Sequence, residues 1–130
     1  MKVAARVLVG LVALFFVAWG LRFYFTPQTM AAEFFVTPLD PGGLSTVRGD
    51  IGGMFVAVGV FAALGLRSGY ARWLAAAASI VGAVAFGRVI GFVMDGPAPT
   101  AVVGFVVELI FIAILTFGAR TLREAAPTNS

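Results

Sequence analysis

The chain has no cysteine and no histidine. The first absence excludes disulfides, thiolate nucleophiles and thiolate metal sites. The second removes the commonest metal ligand and the usual general base. Charge is also scarce. Only 12% of the 130 residues are Asp, Glu, Lys or Arg, where soluble domains carry about a quarter. What is present instead is apolar, 61% of the chain. Too few polar residues remain to coat a water-facing surface. An ordinary cytosolic enzyme, a disordered chain and a nucleic-acid binder are therefore excluded. The net charge of +3 does not restore the last of these, because the few basic residues sit mostly at the ends of apolar runs. At this length one domain is expected, and residues 1–130 read as a single integral membrane domain.

A spanning helix needs about 20 predominantly apolar residues. Four runs meet or approach that length, at about 4–25, 46–66, 72–94 and 99–119. They predict an all-α fold, a four-helix antiparallel transmembrane bundle with short connections. The first run follows Met1-Lys2 and could pass for a signal peptide. It has no small-x-small cleavage site, and "VAWGLRFYF" is bulky, so a retained helix is expected. The second run is short unless its helix starts near Thr46, which draws Arg48 and Asp50 into the helix. Between the first two runs, Thr26-Pro27 fits a helix start, with Thr26 as cap and Pro27 at the first position. "QTMAAEFF" then forms a short interfacial helix, and "PLDPGG" reads as a turn.

Basic residues predict orientation. Lys2, Arg6, Arg67, Arg72, Arg120 and Arg123 fall on one side, expected to be cytoplasmic, with both termini there. Glu33, Asp40 and Asp95 fall on the other, with Arg22 and Arg48 near its edge. Trp19, Phe23 and Tyr24 outside, and Tyr70 and Trp73 inside, form the expected aromatic belts. Eight arginines against one lysine fit a GC-rich bacterial genome, and the bacterial inner membrane is the expected location.

Arg88 and Glu108 interrupt otherwise apolar helices. A central charge costs roughly 2.5 to 3.5 kcal/mol on insertion scales, so it usually faces the interior and finds a partner. Arg88 lies seven residues before Asp95, about 10 Å below the outer edge, and Glu108 lies eight after Thr100, about 12 Å below it. Two charges at one level on a hairpin predict an ion pair. Glu108 has Arg88 and Arg48 as alternative partners. Asp50, Asp95, Arg22 and Tyr24 converge on the same outer half, and the face of Asp50 continues through Met54, Ala57 and Phe61. A candidate ligand site follows: Tyr24, Arg48, Asp50, Met54, Arg88, Asp95 and Glu108. The competing explanation is an ionic cluster that only fixes helix register. Gly104, one turn before Glu108, leaves room for a neighbouring side chain. The ladder Ser79, Ala83, Gly87 and Gly91 predicts close packing inside the bundle, with homodimerisation through Gly87 and Gly91 as the lesser alternative.

The segments "LRFYFTP", "VRGDIGGMF", "GRVIGFVMDGPAP" and "VVELIF" give the chain a resemblance to DUF4345, a bacterial membrane family of unknown function. It covers about residues 5–119. The family pattern implies importance for Arg48, Asp50, Gly53, Arg88, Asp95, Gly96 and Glu108, without implying a reaction. A looser likeness to DoxX-like membrane proteins concerns the four-helix layout alone.

Four functions compete. The first is binding of a small amphiphile or lipid, its head at Arg48, Asp50, Arg88 and Glu108 and its tail among Met54, Phe61, Val84 and Leu115. Mixed charge suits a zwitterionic or hydroxylated head. The second is an intramembrane isomerase-like enzyme with Asp50 or Glu108 as base and Arg88 orienting it. The third is a small transporter, ranked lower because the first span has no carboxylate and the inner half has almost no polar residue. The fourth is a structural or assembly factor. No metal or cofactor motif is present; the expected partners are membrane lipids and an amphiphilic small molecule.

Overall fold

The computed structural model describes residues 1–37 and 40–123. Five helices account for most of them: α1 (Lys2–Phe25), α2 (Pro27–Glu33), α3 (Pro41–Gly65), α4 (Arg72–Met94) and α5 (Pro99–Thr121). There is no strand among the described residues. All but α2 are long and apolar enough to cross a membrane.

Each long helix packs antiparallel to two others, and the four close into a ring. Gly20 meets Val56 while Gly59 meets Val17, so α1 and α3 run in opposite directions. Phe61 packs against Trp73, their rings tilted by 40°, near the short α3–α4 turn. Phe92 meets Phe105 across α4 and α5. Phe15 meets Phe111, and Val9 meets Gly118, which closes α5 onto α1. Buried positions recur every three or four residues, as Val9, Val12, Phe16, Gly20 and Phe23 on α1 and Leu74, Ala77 and Val81 on α4.

Close approach explains the α1–α3 contact. A Cβ on Gly59 would lie 2.6 Å from Val17 Cγ2 and 2.8 Å from the Val17 backbone nitrogen. Gly20 takes Val56 in the same way. Each helix therefore offers a glycine to the other's valine, the small-residue packing that holds helices together in lipid. The expected ladder on α4 is different. Ser79, Ala83 and Gly87 face outwards, and a Cβ on Gly87 or Gly91 would meet nothing within 4 Å. Internal close packing at that ladder is thus corrected: α4 turns its larger Leu74 and Val81 inwards instead.

The helix α2 is found where Thr26-Pro27 predicted it, although the Thr26 hydroxyl donates to the Arg22 carbonyl and not into α2. It folds back over the end of α1, with Met30 and Ala31 fully buried. Phe35 then adopts φ +60°, a left-handed conformation uncommon outside glycine. That turn leaves Phe34 against Phe23 and Phe55 while Phe35 faces outwards.

The helix α3 starts earlier than Thr46. The Asp40 carboxylate accepts from the Gly43 N–H at 2.7 Å, and Pro41 occupies the first turn. The turn expected at "PLDPGG" is therefore, from Asp40 on, a helix cap; Pro38 and Leu39 lie outside the described residues. Within α3, Val47–Gly52 is a single stretch of π-helix.

Charge divides by end. Lys2, Arg6, Arg67, Arg72, Arg120 and Arg123 belong to the end formed by the start of α1 and α4 and the finish of α3 and α5. No carboxylate joins them among the described residues. Glu33, Asp40, Asp50 and Asp95 belong to the opposite end.

Candidate functional site

Arg88 on α4 and Glu108 on α5 meet as the spacing predicts. Arg88 Nε donates to Glu108 Oε1 at 2.7 Å. The side chains are 31% and 12% exposed, so neither charge is fully enclosed and neither faces outwards freely. Gly104 makes the pairing possible. A Cβ there would lie 2.9 Å from Arg88 Cζ and 3.0 Å from Nη2, so the guanidinium lies flat across the helix at this residue.

The pair is joined by one prong. Glu108 Oε2 is buried and has no hydrogen-bond partner. An unsatisfied buried carboxylate oxygen is costly, about 1–3 kcal/mol or more, and so points towards a donor from elsewhere. The bond from Arg88 leaves its Nη groups available for an acceptor. Donor and acceptor capacity thus sit side by side.

That polar point faces a cavity of about 190 Å³ in the middle of the ring. All four long helices contribute, through residues such as Phe16, Met54, Val84 and Phe111. Apart from Arg88 and Glu108 the lining is apolar. For scale, a cavity of about 150 Å³ holds benzene. This one therefore has room for a ring or a short alkyl segment. A second, outward groove of about 350 Å³ runs between Glu33, Phe35 and the start of α5 at Thr100 and Ala101. Phe34, Arg88 and Gly104 line both spaces and so form the partition between them.

Of the remaining expected site residues, one joins the cavity and the others do not. Met54 lines the cavity with Arg88 and Glu108. Arg48 instead donates from Nε to the Tyr24 carbonyl at 2.9 Å, capping the last turn of α1, where a cation suits the helix dipole. Tyr24 joins the α1–α3 crossing, its ring in close contact with Gly52. Asp50 and Asp95 are exposed, without a hydrogen bond or ion pair among the described residues. Asp50 lies inside the π-helical stretch Val47–Gly52, where the α-helical count that puts it on the face of Met54 does not hold; it is exposed, while Met54 is half-buried. Two carboxylates for a proton shuttle are therefore not assembled at the cavity. Of the expected tail contacts, Val84 lines it; Leu115 is core and Phe61 packs on Trp73 at the other end.

Two features escaped the sequence. Arg22 pairs with Glu33 at 2.7 Å on the surface and lies over the Trp19 ring. Phe34 roofs the cavity. Both follow from the reversal at Thr26-Pro27, which brings α2 back across α1. Among the described residues no group of acidic side chains could hold a metal ion.

A family model for DUF4345, a domain of unknown function, matches residues 4–119. The chain belongs to this family. No curated protein and no solved structure matches it. The DUF4345 segment contains every residue that lines the cavity, and its four long apolar helices are those of a small multi-pass membrane protein.

Proposed function

We propose that this DUF4345 protein resides in a bacterial inner membrane with both termini cytoplasmic, and binds a small amphiphile from the outer side. The single carrying observation is Glu108 Oε2, buried without a partner on the wall of an apolar cavity. A hydroxylated head would donate to that oxygen and accept from Arg88, replacing with two charge-assisted bonds what it gave up in water. The cavity has room for a ring or a short chain. The groove beside Glu33 and Phe35 supplies the approach, with Arg88 at the partition. The end rich in arginine and lysine is the cytoplasmic one by the positive-inside rule, which puts the groove on the periplasmic face.

The test is mass spectrometry of small molecules that co-purify with the full chain in detergent. The wild type is expected to retain a hydroxyl-bearing amphiphile. Glu108→Gln should retain about tenfold less, since a hydrogen bond to a charged group contributes about 1.5–3 kcal/mol. Val84→Trp, which fills the cavity and leaves the Glu108 carboxylate in place, should exclude it too. Equal amounts of the same molecules in all three preparations would defeat the proposal.

A further inference from the structure

The basic end holds a third recess, about 400 Å³, between the start of α4 and the finish of α5. Arg72, Arg120 and Arg123 line it. The first stacks near the Tyr70 ring, with its centroid 5.8 Å away. None of the three is paired with a carboxylate among the described residues. The floor is made of small residues, Ala75, Ala78 and Ala119, with Thr116 beside them. Ser79 also reaches it but donates its hydroxyl to the Ala75 carbonyl, so it adds little polarity. From this floor a strip of small residues, Ser79, Ala83 and Gly87, continues along the outward face of α4.

We infer that this recess binds the phosphate of an anionic phospholipid. Three arginines lining one recess at the end of two spanning helices, with no carboxylate partner among the described residues, match a phosphodiester, which accepts bidentate bonds from arginine. Basic pockets between membrane helices on the cytoplasmic side are suited to anionic head groups. A lipid is favoured over a soluble anion by the strip: an acyl chain hanging from the phosphate would lie along α4 against these small, exposed residues. This gives the outward-facing small residues a use that internal packing does not. The site is separate from the Arg88–Glu108 cavity and shares no residue with it.

The experiment is native mass spectrometry of the full chain, delipidated and then titrated with phosphatidylglycerol or phosphatidylcholine. Phosphatidylglycerol should be retained at least about tenfold better, the effect of two or three arginines near a phosphate. Arg120→Gln with Arg123→Gln should remove that preference, and Arg120→Lys with Arg123→Lys should keep most of it. Arg6→Gln removes charge at the same end but outside the recess, and should leave the preference unchanged. Equal retention of the two lipids overturns the inference. So does a loss in Arg6→Gln as large as in the double variant, which would mean general surface charge. Displacement of bound phosphatidylglycerol by millimolar inorganic phosphate would also overturn it, by identifying a free anion as the occupant.

Discussion

At the scale of the residue, the outcome turns on how far a helix can be counted. Arg88 and Glu108 could be matched because each stands in an uninterrupted helix next to one short loop. A depth of 1.5 Å per residue then holds from the loop inwards. Gly104 was also legible, since a guanidinium crossing a helix needs a position without a side chain. This predicts that Gly104→Val displaces Arg88 and destabilises the protein by about 1–3 kcal/mol. In an Arg88→Met background the same substitution should cost much less, because the group it strikes has gone. Melting temperatures of the four proteins in one detergent would decide this. Arg48 and Asp50 were misplaced for the opposite reason. Both stand within the π-helical stretch Val47–Gly52, where a 3.6-residue count fails, and the sequence carries no plain sign of that stretch.

At the scale of the element, composition alone located the four long helices, because no soluble alternative can bury so much apolar surface. The start of α3 was harder. Asp-Pro-Gly-Gly is a turn signal, yet the same aspartate can accept from an amide three residues on and begin a helix, as Asp40 does. The small residues were misassigned because glycine spacing does not say which face a helix turns inwards. Neighbours decide it: on α3 a Cβ at Gly59 would strike the α1 backbone, which cannot move aside. Gly59→Ala is accordingly expected to lower stability by about 1–3 kcal/mol. Gly82→Ala, where a Cβ would meet nothing within 4 Å, should be neutral or slightly stabilising. Thermal unfolding followed by circular dichroism separates the two cases.

At the scale of the whole molecule, two asymmetries coincide. Basic residues gather at one end, while the interior ion pair, the cavity and the carboxylates belong to the other half. The orientation this supports can be measured simply, because the chain has no native cysteine to mask a label. Ser68→Cys should stay unlabelled by a membrane-impermeant maleimide in intact cells, and Pro97→Cys should react. The reverse pattern would put the cavity on the cytoplasmic side. Everything proposed for the cavity depends on Arg88 and Glu108 being energetically coupled within the membrane. A double-mutant cycle with Arg88→Met, Glu108→Gln and both together, read as unfolding free energy, measures that coupling. A coupling of about 1–3 kcal/mol is predicted; losses that add within about 0.5 kcal/mol would contradict the pairing.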